Sequence, residues 1–357
     1  MIERRVRLRG PLDLGQTLWP LRHGLGDRTV RLLADEAWLT ARTPDGTASI
    51  HLRQRGTSIE ARAWGDGAEH LLESVPTLIG EADEPNGLVA RHPIIRDLQR
   101  RHPGLRLPRS GRVLQALVPS VFEQKVTGTE AFRAYAALLR VHGEPAPGPG
   151  GLLLPPAPET LVRLPYHAYH PIGIERRRAD VVRRASARAR WLESSTTAEE
   201  ATRRLTSLPG IGRWTAAEVA RSAFGDPDAV SIGDFHLPNV VAWALAGEPR
   251  ADDARMLELL EPYRGQRGRI QRLLEVGRVV APRYGPRMAP RRIAALQLVL
   301  DFALARGALA SDPWVTNVGK SGLTTAVASD EEAGRACSLP PGMRGRLRLP
   351  VLCRSAH

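Results

Sequence analysis

Polar and apolar residues alternate with period two near the start of the chain, in Arg5-Val6-Arg7-Leu8-Arg9, the spacing of a strand with one face turned to a core. Residues 11–24 then place Leu14, Leu18 and Leu21 at helical spacing. Four runs rich in strand formers follow, at 29–33, 37–42, 48–53 and 58–64. Asp45-Gly46 falls between two of them as a hairpin turn, and Asp66-Gly67 precedes a closing helix at 68–79. The pattern predicts a small α+β unit with an antiparallel sheet. From about residue 90 the period changes. Helical spacing runs through 94–101, 112–142, 176–192, 199–205, 215–224, 237–246, 252–260 and 268–279. Residues 143–158, rich in proline and glycine, read as a loop within this region. Periodicity fades after about 308, and no internal repeat is visible. The expected fold class is therefore α+β: a small N-terminal antiparallel-sheet α+β domain over 1–88, an all-α domain over 89–306, and a poorly ordered tail over 307–357.

Within the helical part, Leu208-Pro209-Gly210-Ile211-Gly212-Arg213-Trp214-Thr215-Ala216 reads as helix, hairpin, helix. Proline ends the first helix, and the glycines open backbone angles that other residues avoid. Ile211 can pack inward, while the amides opening the second helix are free to hold a phosphate oxygen, aided by the helix dipole. Donors of this kind grip a strand whatever its base sequence. About two dozen residues on comes Gly233-Asp234-Phe235-His236-Leu237-Pro238. Alone, Asp234 would be the cap of a helix starting near Leu237. Following a phosphate-binding hairpin, it becomes a candidate to stabilise the cation that develops on a sugar when its glycosidic bond breaks.

Composition narrows the setting. The 357 residues suit two or three domains, and 42% apolar residues suffice for packed cores. The net charge of +13 favours an acidic polymer as partner, although all but two of the basic residues (Lys125 and Lys320) are arginine, which also fits a coding bias. Cys337 and Cys353 are the only cysteines. They are too few for a four-cysteine iron–sulfur site and agree with a reduced, intracellular setting. The N-terminus lacks an apolar core of signal-peptide length. The apolar stretch at 293–305 is interrupted by Gln297 and Asp301 and is too short to span a bilayer. A cytoplasmic monomer with no cofactor and no membrane association is expected. His167 and His170 have a metal-like spacing but no accompanying ligand cluster, so no metal is expected either.

In combination, LPGIGRWTA and the aspartate that follows resemble the helix-hairpin-helix DNA glycosylase superfamily, and most closely its 3-methyladenine DNA glycosylase II branch. The resemblance covers roughly residues 1–290, including the N-terminal α+β domain and Val121-Phe122-Glu123-Gln124-Lys125-Val126-Thr127. It implies a monofunctional enzyme of base excision repair that excises alkylated purines from duplex DNA, with Asp234 supporting the sugar cation. Lyase relatives carry a lysine where this chain has Trp214, and an indole cannot form their Schiff base. The resemblance implies that Trp214, Phe235 and Tyr263, with Trp19 from the N-terminal domain, stack on the flipped base. A cationic methylated purine would gain about 0.5–2 kcal/mol against such a ring. Leu208, Pro209, Gly210, Ile211, Gly212 and Thr215 would form the strand-binding hairpin, with Gln124, Lys125 and His236 as further DNA contacts. The hairpin carbonyls of the family can also hold a monovalent cation.

Two positions depart from the family. Lys125 stands where an apolar wedge fills the gap left by the flipped base. Glu218 stands where a pocket aromatic can occur, and could attract a cationic base or face solvent. Lys125 is the only lysine of the helical region, so it is also the one candidate for residual lyase chemistry. Two other readings stay open: a non-catalytic helix-hairpin-helix protein that binds damaged DNA, and a glycosylase of another base specificity.

Overall fold

The computed structural model describes residues 1–282; the end of the expected helical domain and the expected tail lie outside the described residues. The N-terminal strands are β1 (Ile2–Arg7), β2 (Val30–Leu32), β3 (Glu36–Thr43), β4 (Gly46–Arg55) and β5 (Ser58–Trp64). They form one antiparallel sheet in the order β1-β5-β4-β3-β2. Asp45-Gly46 turns β3 into β4, with Gly46 paired to Thr43. Helix α1 (Leu14–Leu18) is capped by Asp13, whose Oδ1 accepts from Gln16 N at 2.8 Å. Helix α2 (Ala68–Leu78) packs across the sheet. The register Leu39↔Ile50↔Ala63 puts these side chains on one face, where they bury with Leu71, Val75 and Leu78. The opposite face carries Trp38, His51 and Trp64. Trp38 stacks on His51 at 4.2 Å and on Trp64 at 5.5 Å.

That outer face is covered from an unexpected source. The glycine-proline segment read as a plain loop forms a two-residue ladder, β6 (Glu144–Pro145) with β7 (Leu153–Leu154), and lies over the sheet. Gly148 and Gly150 sit against the rings of Trp64 and Trp38, where a Cβ would collide. Thr40 Oγ1 donates to Leu153 O and Arg42 Nε to Pro155 O, each at 2.8 Å. Glycine is required here because the strap must come within contact distance of two indoles.

The remaining helices are α3 (Pro93–Arg101), α4 (Val113–Phe122), α5 (Gly128–His142), α6 (Pro158–Arg163), α7 (Tyr166–Tyr169), α8 (Arg176–Ser186), α9 (Ala189–Glu193), α10 (Ala198–Thr206), α11 (Arg213–Ala223), α12 (Leu237–Ala246), α13 (Asp253–Leu260) and α14 (Arg267–Val276). Two continuous helical runs expected from the sequence are broken. The 112–142 run splits at 123–127, where Lys125 has φ 55° and Thr127 starts α5 in a capping box with Glu130. The 176–192 run splits between α8 and α9. One core centres on α4, with Leu117, Val121 and Phe122 meeting Tyr135, Leu138 and Val219. A second gathers Ile95, Val241, Met256, Leu260 and Ile270 from α3, α12, α13 and α14. Among the described residues no helix is long and apolar enough to cross a membrane.

Candidate active site

The hairpin between α10 and α11 is fixed by its glycines and by two long side chains. Gly210 has φ +91°, and a Cβ there would run into a Val181 methyl of α8. Leu208 and Ile211 are buried in the α4 core, so both act through packing, and Ile211 N donates to Leu208 O at 3.1 Å. Ala216 N is the first amide bonded within α11, to Gly212 O at 3.0 Å, so the amides from Gly212 to Thr215 precede the helical ladder. Gly212 and Arg213 are exposed, and open space surrounds Gly212 where a side chain would project. Gln124 braces the turn from behind: its Nε2 donates to Gly210 O at 3.1 Å and to Thr215 Oγ1 at 2.9 Å. Arg184 Nη2 donates to Pro209 O at 2.9 Å. The Gln124 and Thr215 side chains are thus engaged with each other. Lys125, beside Gln124, is exposed, and its left-handed backbone marks a strained loop tip.

The acid follows a second constrained turn. Gly233 has φ +91°, its amide donates to Asp253 Oδ1 at 3.1 Å, and Asp234 N donates to Ser231 O at 3.2 Å. Asp234 is both cap and candidate acid. Oδ1 accepts from the amides of His236 and Leu237 at 2.7 and 2.8 Å, anchoring the start of α12. Oδ2 accepts from the Trp214 indole Nε1 at 3.3 Å. The cap fixes one oxygen and leaves the other on the indole of Trp214, at the start of α11. Asp234 and Trp214 are both half-buried.

A cleft of about 850 Å³ opens between the α1 region and the helical part, with Trp19 and Glu218 among its walls. Trp214 lies one turn before Glu218 on α11, on the same side of the helix. Trp214 and Asp234 stand beside this cleft and do not line it. Trp19 is 53% exposed at its wall. Two expected pocket aromatics are placed elsewhere. Phe235 is 85% exposed, with its ring edge-on to the neighbouring His236. Tyr263 is 3% exposed in the α3–α14 core, and its hydroxyl accepts from His92 N at 3.0 Å. Its position is one of packing. His236 is exposed, as a strand contact requires.

Apart from Glu218, sequence reasoning missed the polar lining of the cleft. His23 Nδ1 meets Glu123 Oε1 at 3.3 Å. Burial works against the His23 imidazolium, but Glu123, Asp27 and Glu218 outweigh it and hold its pKa above the ordinary value. Arg221 bridges Glu218 at 3.2 Å and Glu275 at 2.7 Å. Burial pushes the Glu218 carboxyl up; Arg221 and the Ser231 hydroxyl pull it back, while Glu275 and Glu123 add to the rise. These groups come from separated segments, so no local motif announces them. Of the arginines on α8, Arg178 is buried, and its Nη1 donates to Phe122 O at 2.6 Å. Arg176, Arg177 and Arg184 are exposed. Among the described residues no three His, Cys, Asp or Glu side chains gather as a metal-binding group.

No protein-family profile matches the chain. Among curated proteins, it is similar to the probable bifunctional transcriptional activator/DNA repair enzyme AlkA of Mycobacterium tuberculosis, 28% identical over 169 residues. The match covers 46% of this chain, which spans about a third of that relative's length (33%). Among solved structures it is similar to the 3-methyladenine DNA-glycosylase from Archaeoglobus fulgidus, with TM-score 0.64 and 16% identity over 77% of this chain and 98% of the other. It is also similar to the 8-oxoguanine glycosylase/lyase of Clostridium acetobutylicum bound to double-stranded DNA, with TM-score 0.52 and 11% identity over 70% and 97%. The fold of this chain is that of the helix-hairpin-helix DNA glycosylases.

Proposed function

We propose that the protein is a monofunctional DNA glycosylase that removes alkylated purines from duplex DNA, working as a cytoplasmic monomer in base excision repair. The observation that carries this reading is the contact between Trp214 Nε1 and Asp234 Oδ2, placed at the N-terminus of the hairpin's second helix. An indole stands at the position from which a lysine would attack the sugar, and a carboxylate stands next to it. The free amides of 212–215 hold a phosphate of the damaged strand, and exposed arginines beside them add salt-sensitive affinity. The extruded nucleotide then brings its sugar to Asp234.

The chemistry balances without a covalent enzyme intermediate. The C1′–N bond breaks and its electron pair leaves with the base, so a cationic methylated purine departs neutral. Asp234 Oδ2 stabilises the sugar cation, water adds its oxygen to C1′, and a proton is lost to solvent. A base that already carries positive charge is a good leaving group, so one preorganised carboxylate suffices. The similarity to the AlkA relative and to the 3-methyladenine glycosylase fold supports the alkylation reading.

Phe235 in solvent and Tyr263 in the core, neither of them lining the cleft, favour a second reading within the same class, a glycosylase of another base specificity. The two are separated by incubating purified protein with duplexes containing 3-methyladenine, 7-methylguanine, hypoxanthine or 8-oxoguanine and identifying the freed bases by chromatography. Release confined to the methylated purines supports the first. Tight binding to abasic-site duplex with no base released would make the protein a damage-binding module instead.

A further inference from the structure

The wall of the cleft one helical turn beyond Trp214 is a carboxylate, built into a network that leaves it a free acceptor. Glu218 Oε1 takes the Ser231 hydroxyl and Arg221 Nη1, the latter at 3.2 Å. Among the described residues, Oε2 has only the longer contact to the same Arg221 nitrogen, at 3.4 Å. An ionised carboxylate has about four acceptor positions, so Oε2 can still take donors from the cleft side. The arrangement is held from below. Gln271 Nε2 donates to Ser231 Oγ at 2.9 Å, and Ser231 N donates to Gln271 Oε1 at 3.2 Å.

Glu218 shares its arginine with a second carboxylate, in a cleft whose walls carry Arg22, Arg221, Arg272 and Arg278 beside Asp13, Glu123, Glu218 and Glu275. Arg221 is shared with Glu275, to which Nη2 donates at 2.7 and 2.8 Å. Glu123 stands on the cleft wall with His23 as its partner. Burial and these neighbouring carboxylates raise the Glu218 pKa. A cation entering the cleft would relieve that crowding, and a neutral carbonyl oxygen would add to it. The Glu218 side chain retains 25% exposure, enough to meet a ligand.

We propose that Glu218 determines which bases the cleft accepts: Oε2 receives N–H groups of a positively charged base and excludes neutral bases that set a carbonyl oxygen against it. The inference rests on the glycosylase reading above and replaces aromatic stacking on this wall with charge-assisted hydrogen bonding. It places Glu218 in contact with the base and leaves bond cleavage to Asp234.

The test compares wild type and Glu218→Gln in single-turnover release of 7-methylguanine, with abasic-duplex affinity and thermal midpoint as folding controls. Expected is at least a tenfold loss of 7-methylguanine release, with abasic-duplex affinity within twofold of wild type. A second measurement needs no variant. The 7,9-dimethylguaninium cation should inhibit wild type at least tenfold more strongly than neutral 9-methylguanine. Release by Glu218→Gln within twofold of wild type, or equal inhibition by the cation and the neutral base, would overturn the assignment while leaving the glycosylase reading intact. Wild type that frees no base from any duplex would remove both.

Discussion

Asp234 has two oxygens with different duties, and this separates what its substitutions should do. Asparagine keeps an acceptor for the His236 and Leu237 amides, so Asp234→Asn should fold like wild type. Asp234→Ala loses the cap and should destabilise by about 0.5–2 kcal/mol in urea unfolding. Trp214 carries the other prediction at this scale. With no amine at its position, borohydride should trap no covalent adduct on methylated duplex. An adduct that disappears in Lys125→Ala would show instead that the one lysine of the described region attacks the sugar. Trp214 and Asp234 were legible in the sequence because the glycines around them force their local geometry. Phe235 and Tyr263 were not. Both are aromatic residues near the motif, but long-range packing decides between solvent, core and cleft. Tyr263 is drawn into the core by His92, 171 residues away in sequence.

The hairpin's function depends on an exact backbone path, and the side chains that hold it come from α8 and from the loop between α4 and α5. Gly210→Ala would force a left-handed Cβ into Val181, a cost of about 1–3 kcal/mol. The expected result is a lower thermal midpoint together with weaker binding to abasic-site duplex; an unchanged affinity would show that the hairpin does not hold the strand. The helices flanking the hairpin were readable from apolar spacing. The break at 123–127 was hidden because apolar residues continue at helical spacing on either side of it. Thr127 and Glu130 form a capping box whose residues were visible, a local signal overridden by the longer pattern. Lys125 at φ 55° is a tertiary outcome: the Gln124 side chain must reach the hairpin, and the chain turns sharply to let it.

The cleft belongs to the assembled molecule and to neither half alone. Its α1 side brings Trp19 and His23, and its helical side brings Glu123, Glu218 and Arg221. The His23–Glu123 contact therefore ties the N-terminal part to the loop that carries Gln124 and Lys125. Because the folded pKa of His23 lies above its unfolded value, this contact stabilises fully below about pH 6.5. The contribution is lost as pH rises through the raised folded pKa. Urea midpoints followed from pH 5.5 to 8.5 should fall across that window in wild type and stay flatter in His23→Gln. Parallel curves would remove the pair from the coupling. The antiparallel sheet was legible from period-two alternation and turn residues. The strap over its outer face was not, since the Gly148 and Gly150 contacts with Trp64 and Trp38 join residues some 80 to 110 positions apart. The division at residue 88 remains a proposal. The sheet core runs to Ile79, and Leu88 joins the core of α3, α12, α13 and α14.

The central claim is that Asp234 Oδ2 supports the sugar cation while the hairpin amides hold the strand. Single-turnover release of 7-methylguanine from a methylated duplex, measured for wild type and Asp234→Asn at matched saturation, tests it most directly. The account predicts that the variant binds the duplex as wild type does and releases base about 10²–10³-fold more slowly. Release at the wild-type rate by a fully bound Asp234→Asn would contradict it.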